Sequence, residues 1–175
     1  HTVRKHSDDI VDGNGDVVPL TGVRSESTLF KAGLFLGEAW TVKASLIELN
    51  DDTGRQPYDA TGAEGGVGGE VVRSIRDSTQ TLSIAYAPLD NPWLDTQLVI
   101  GRTQTDLVDE HLPGVSDFVP PGGSAFRDQY DYTNHSVDLT NWSRFRLGPV
   151  GARILTGLQW VRNERVVLRD GESVA

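Results

Sequence analysis

The sequence predicts an all-β fold, an antiparallel up-and-down meander of about six long strands. Three observations carry this. Apolar and polar side chains alternate with period two in several runs, the runs are joined in pairs by tight turns, and the pairs are separated by long polar connections. The clearest pair spans residues 78–105, folded about Asp90-Asn-Pro-Trp93. Before that turn, Leu82, Ile84 and Tyr86 oppose Thr79, Thr81, Ser83 and Ala85; after it, Leu94, Thr96, Leu98 and Ile100 oppose Asp95, Gln97, Val99 and Gly101. Pro92 fixes a turn dihedral and donates nothing to a ladder, so the chain reverses near it.

Composition agrees and removes several function classes. At 175 residues the chain is the size of one domain, with 37% hydrophobic residues and 19 glycines, a composition that suits strands and turns. The absence of cysteine excludes disulfides, thiolate metal sites and a thiol nucleophile. A net charge of -9 argues against nucleic acid as a partner, because phosphate binding needs a basic face. No stretch approaches the apolar length of a membrane helix. The chain contains no Met and opens on His1, so either processing has removed its start or it is a piece of a longer protein, and the loop pattern below favours the piece.

In chain order, residues 1–25 read as polar and turn-rich. Asp12-Gly-Asn14-Gly-Asp16 has the spacing of the first three ligands of a calcium loop, but Val17 and Val23 stand where that loop needs Gly and a bidentate Glu. A solvated acidic loop is the expectation there, and no metal site. Thr28, Phe30, Ala32, Leu34 and Leu36 then share a face against Leu29, Lys31, Gly33 and Phe35. Gly37-Glu-Ala39 turns the chain into Trp40, Val42, Ala44 and Leu46, opposed by Thr41, Lys43, Ser45 and Ile47.

Residues 50–77, with Gly62, Gly65, Gly66, Gly68 and Gly69, read as a long surface connection; the glycines lack the order of a phosphate-binding loop. A second long connection is expected over residues 107–128, with Pro113, Pro120, Pro121, Gly122 and Gly123. The last hairpin sets Val137, Leu139, Asn141 and Ser143 against Ser136, Asp138, Thr140 and Trp142. It turns at Leu147-Gly-Pro-Val-Gly151 and returns through Ile154, Thr156, Leu158 and Trp160, opposed by Arg153, Leu155, Gly157 and Gln159.

Short turns thus fall on one edge of the meander and long connections on the other. Transmembrane β-barrels have this asymmetry, with apolar-out and polar-in alternation, and they close because lipid offers no hydrogen-bond partner. Six strands are fewer than the roughly eight such a barrel needs, so an open, curved segment of a barrel domain covering residues 1–175 is expected, with both terminal strands presenting unpaired edges. Phe35, Trp40, Tyr86, Trp93 and Phe145 lie near the short turns, as in an interfacial aromatic belt. The same rings would also pack in the core of a soluble sandwich. Glu48 and Arg102 fall on the lipid face and are tolerable near its upper border.

Two other readings share the alternation: a secreted β-sandwich that binds carbohydrate, and another outer-membrane barrel such as a porin or adhesin. Catalysis finds no support. There is no nucleophile elbow and no zinc helix motif, and the acidic pairs Asp51-Asp52 and Asp109-Glu110 read as solvated loop residues.

The run Asp90-Asn-Pro-Trp-Leu-Asp95, its entry Arg76-Asp-Ser-Thr-Gln80, Asn141-Trp-Ser-Arg-Phe145, Leu29-Phe-Lys-Ala-Gly33 and the strand from Gly157 to Asn163 together resemble the barrel of TonB-dependent outer-membrane receptors. The nearest branch is the haem, haemoglobin, transferrin and lactoferrin group, and the resemblance covers most of residues 22–165. Trp142 departs from the small residue more usual there. The resemblance implies a Gram-negative outer-membrane location and import of haem or iron from a carrier protein held by external loops. It also implies energy from the TonB–ExbB–ExbD complex, delivered through a plug that this chain lacks. Haem or iron is then a transported ligand, with no cofactor held in this segment.

The group's haem-associated motifs are not matched, since Asp128 follows Phe126-Arg127 and Trp93 follows Asn91-Pro92. His111, placed in the second long connection, is the one candidate ligand contact, because imidazole can ligate haem iron. His1 and His6 lie in the polar start, His135 is a strand residue near the outer rim, and no two histidines have a metal-ligand spacing.

Overall fold

The computed structural model describes residues 1–58, 68–170 and 172–173. Gly62, Gly65 and Gly66 of the first long connection lie outside the described residues. All strands lie in one antiparallel sheet in sequential order: β1 (Thr2–Ser7), β2 (Val23–Leu36), β3 (Trp40–Pro57), β4 (Glu70–Tyr86), β5 (Thr96–His111), β6 (Phe126–Leu147), β7 (Val150–Arg169) and β8 (Glu172–Ser173). The six expected long strands are β2 to β7, and no helix occurs among the described residues.

All three tight turns sit where the alternation placed them. Residues 37–39 close β2–β3, and residues 148–149 close β6–β7, with Gly148 at φ 62 supplying the positive dihedral a two-residue hairpin demands. The turn after β4 is pinned sideways onto β6. Asn141 Nδ2 and Ser143 Oγ both donate to the Trp93 carbonyl at 3.0 and 2.9 Å, and Arg144 N–H donates to the Pro92 carbonyl at 2.7 Å. Arg144 also reaches Asp95 at 2.6 Å, and the Trp93 and Phe145 rings stack 5.4 Å apart. The two motif runs around Asn-Pro-Trp and Asn-Trp-Ser-Arg-Phe are therefore contact partners.

Register gives the sheet two chemically distinct faces. Leu34, Val42, Ile84, Leu98, Leu139 and Leu158 are successive cross-strand neighbours, and the adjacent row is Ala32, Ala44, Leu82, Ile100, Val137 and Trp160. Both rows are wholly apolar across six strands. The opposite face carries Lys31, Ser45, Thr81, Gly101, Ser136 and Val161, then Gly33, Lys43, Ser83, Val99, Asp138 and Gln159. Phe35 stands on this polar face, away from Trp40 and Tyr86, whose rings meet at 4.4 Å on the apolar one.

The apolar face has no protein cover. Leu34 is 54% exposed and Leu158 72%, and the buried apolar residues among those described are Val71 and Val119 alone. A sandwich would bury these rows against a second sheet, and the described strands form only one. The bottom edge also descends across the sheet. The row through Leu36 crosses β7 at Thr156, yet β7 begins six residues lower, at Val150. Five strand spacings at a tilt of about 40° give a drop of roughly 20 Å, about six residues, so the stagger has the size barrel tilt requires.

The strands run further than the apolar alternation indicated. The connections expected at 50–77 and 107–128 shrink to 58–69 and 112–125, and residues 2–7, read as part of a polar lead-in, form β1. In each case the ladder continues where neither face is apolar. Arg4–Glu26 at 3.1 Å couples β1 to β2, and charged rows hold the upper parts of β4 to β7. Period-two hydrophobicity reports contact with an apolar phase, and its end is no signal that pairing ends.

Candidate functional site

The long-connection edge carries a compact cluster on the polar face. Arg73, Asp109, Asp128 and Arg169 form one cross-strand row over β4 to β7. Arg73 grips Asp109 with two bonds of 2.7 and 2.9 Å, and Arg169 grips Asp128 with the same pair of distances. The two carboxylates face each other directly and are 2% and 5% exposed, so each needs its own fork of donors. Donating hydrogen bonds to Asp109 raises the Arg73 pKa above its ordinary value, and donating to Asp128 does the same for Arg169. Desolvation, then the charge of Asp128, raises that of the neighbouring Tyr130.

His111 ends β5 one register step further out and is buried, at 1% exposure. This corrects its expected place in an open loop. Nδ1 lies 2.9 Å from Ser116 Oγ, while Nε2 has no hydrogen-bond partner and stands 3.5 Å from Asp128 Oδ2. Phe126 stacks on the imidazole at 4.3 Å and carries the Arg169 guanidinium at 4.7 Å. Phe118 and Tyr58 close the surround at 5.5 and 5.7 Å.

The 112–125 connection folds onto the start of β4 to complete this cover. Glu70 N–H donates to the Val115 carbonyl, Asp117 N–H to the Gly68 carbonyl, and Gly68 N–H to Asp117 Oδ2. Gly69, at φ 63, has no room for a side chain, since a Cβ would lie 2.6 Å from the Val115 carbonyl oxygen.

Ser116, His111 and Asp128 follow one another in the order of a catalytic triad. Ser116 is 3% exposed, however, and its hydroxyl accepts the Phe118 N–H, so a substrate carbonyl has no approach. Asp109 and Glu110 point to opposite faces, with Glu110 near Arg127 at 3.5 Å, so they do not flank a sugar bond. Asp51 Oδ1 is taken up by the Thr53 N–H and hydroxyl. At the partial calcium motif, Asp12 Oδ1 caps the backbone N–H groups of Asn14 and Asp16, and no acidic cluster able to hold a metal occurs among the described residues. His6 lies in the exposed strand β1, and His135 on the outer part of β6.

Arg73, Asp109, Asp128, Arg169, Ser116 and Phe118 were missed from sequence. The available signal was the charged alternation itself: Val71, Arg73, Ile75 and Leu107, Asp109, His111 keep period two inside stretches read as loops.

The fold and the segregation of its faces are those of an open antiparallel meander of the transmembrane β-barrel kind, with the apolar rows on one face and the rim cluster on the other, polar one. Within that class, the resemblance to TonB-dependent haem receptors holds against known proteins. The chain is 34% identical over 106 residues to TonB-dependent heme receptor A of Haemophilus influenzae strain 86-028NP, covering 59% of this chain and 14% of the relative. The same-named receptor of a second Haemophilus influenzae strain is 28% identical over 103 residues, and that of Haemophilus ducreyi 27% over 99. The matched part is thus about a seventh of the length of those relatives, at 13 to 14%. No family model matches the chain.

Proposed function

We propose that this chain is part of the barrel wall of a Gram-negative outer-membrane receptor that imports haem, or iron from a haem or iron carrier. The observation that carries the proposal is the pair of apolar rows running unbroken across six strands on one face, over a polar opposite face. Such a face needs a non-aqueous neighbour, and a bilayer supplies one for a closed barrel. The similarity to receptors named for haem supports haem as the ligand class. The long connections then face outward, where a carrier protein would dock. The TonB–ExbB–ExbD complex would act through a plug outside this segment, and the wall itself performs no catalysis.

In the arrangement described, His111 meets a ligand only when the 112–125 connection lifts from it. His111→Ala in the full-length parent with unchanged haem uptake would remove it as a contact.

Deleting the parent gene and supplying haem as the sole iron source tests the proposal. Growth should stop, return on complementation, and be unaffected when inorganic iron is supplied. Unchanged growth on haem in a strain with no other haem receptor would contradict it.

A further inference from the structure

His111 stands among contacts that a neutral imidazole cannot satisfy together. Its Nδ1 lies 2.9 Å from Ser116 Oγ, on the 112–125 connection, and its Nε2 lies 3.5 Å from Asp128 Oδ2, on β6. The Ser116 hydroxyl in turn accepts the Phe118 N–H at 3.3 Å and reaches the Gly68 carbonyl, just before β4, at 3.5 Å. If the hydroxyl proton goes to Gly68, Nδ1 must carry the proton to Ser116, and Nε2 then turns a lone pair on a carboxylate with no proton between them. If the ring proton sits on Nε2 instead, Ser116 must donate to Nδ1, and the tie to Gly68 is lost. Only the imidazolium, a donor at both nitrogens, makes all of these contacts at once.

The charges around the ring favour that second proton. Asp109 on β5 is gripped by Arg73 from β4, and Asp128 by Arg169 from β7, which leaves those groups balanced. The connection adds Asp117, whose Oδ2 accepts the Gly68 N–H and which pairs with no cation among the described residues. Tyr58, beyond β3, and Tyr130, on β6, bring phenols only. Three carboxylates thus stand against two guanidinium groups until His111 takes its second proton, and Phe126 offers the ring a π face at 4.3 Å that attracts a cation. Since the imidazole is 1% exposed, it meets water only when the connection lifts. A proton held more tightly in the closed arrangement than in the open one stabilises closure as pH falls, and that contribution is lost as pH rises.

We propose that His111 is an acid-tightened latch: protonated, it clamps the 112–125 connection onto the rim of β4 to β6, and neutral, it lets the connection lift and uncover the polar face beneath. The latch is independent of the ligand the parent imports. Its test is amide exchange of the full-length parent in phosphatidylcholine nanodiscs at about pH 5.5 and about pH 7.5, either side of the ordinary imidazole charge change, corrected for the chemical pH dependence of exchange. The reporters are the Asp117 N–H, bonded to the Gly68 carbonyl, and the Glu70 N–H, bonded to the Val115 carbonyl, with the β6–β7 hairpin amides as reference. One proton taken up on closing allows at most about tenfold per pH unit, so reporter protection should be roughly 10- to 100-fold greater at the lower pH, with the reference unchanged. His111→Gln should give equal protection at both pH values. Ser116→Ala should do the same, because without that hydroxyl a neutral ring with its proton on Nε2 already meets Asp128. Where His111→Gln leaves the connection open throughout, Ser116→Ala decides. Reporter protection that stays level or falls in acid would overturn the latch, and so would an acid gain that survives either substitution.

Discussion

Asp109 and Asp128 are two carboxylates set side by side in a nearly dry place, and their tolerance depends on Arg73 and Arg169. Removing one arginine leaves an uncompensated buried charge, which typically costs about 3–5 kcal/mol. Arg73→Ala should accordingly raise amide exchange over the outer ends of β4 and β5, and Arg73→Lys should not restore protection, because an ammonium cannot grip both carboxylate oxygens. Asp12 gives a pH prediction. Hydrogen bonds from the backbone of Asp16, then Asn14, lower its pKa below 3.8. A depressed carboxylate stabilises the folded turn above the unfolded pKa, and that contribution is lost as pH falls through the folded value. Amide protection at Asn14 and Asp16 should therefore be complete near neutrality, begin to fall only below about pH 4 and be lost as the pH drops through the lowered folded value, and Asp12→Ala should abolish it at every pH.

Among the elements, the hairpins were legible because tight turns and apolar alternation are local signals. Gly37 and Gly148 take the positive dihedrals their turns require, and Leu98 and Leu139 fall on the face their neighbours dictate. β1 and the outer parts of β3 to β6 were not legible. There Arg73, Asp109 and Asp128 hold the ladder through ion pairs between strands distant in sequence, a signal that hydrophobicity does not carry. His111 was found as a residue but placed wrongly for the same reason, since the cover over it comes from the 112–125 connection. That cover depends on Gly69. Gly69→Ala should push the connection off β4 and make residues 112–125 sensitive to protease, while leaving the β6–β7 hairpin intact. The turn after β4 depends likewise on Asn141. Asn141→Leu, by orphaning the Asp95 N–H and removing one of the two side-chain donors to the Trp93 carbonyl, should cost about 1–3 kcal/mol and shift Trp93 emission to the red.

For the whole molecule, two strand faces imply two solvents. An apolar face exposed at Leu34, Leu158 and Trp160, descending with the stagger of a tilted barrel, is what the lipid contact proposed above requires. Charge placed on that face should cost about 2–4 kcal/mol near the bilayer centre, whereas charge on the polar face should be tolerated. Leu98→Arg should therefore lower the amount of parent receptor assembled in the outer membrane, and Gln97→Arg, one residue away, should not.

The most direct test uses the absence of cysteine from this segment. Single cysteines at positions 96 to 103 along β5, spin-labelled in the full-length parent in a bilayer, report access to oxygen from the lipid and to a nickel chelate from water. A wall with one lipid-facing side gives a strict period of two, with labels at Leu98 and Ile100 favouring oxygen and labels at Gln97, Val99 and Gly101 favouring nickel. The opposite phase, or equal access to nickel at every position, would contradict it.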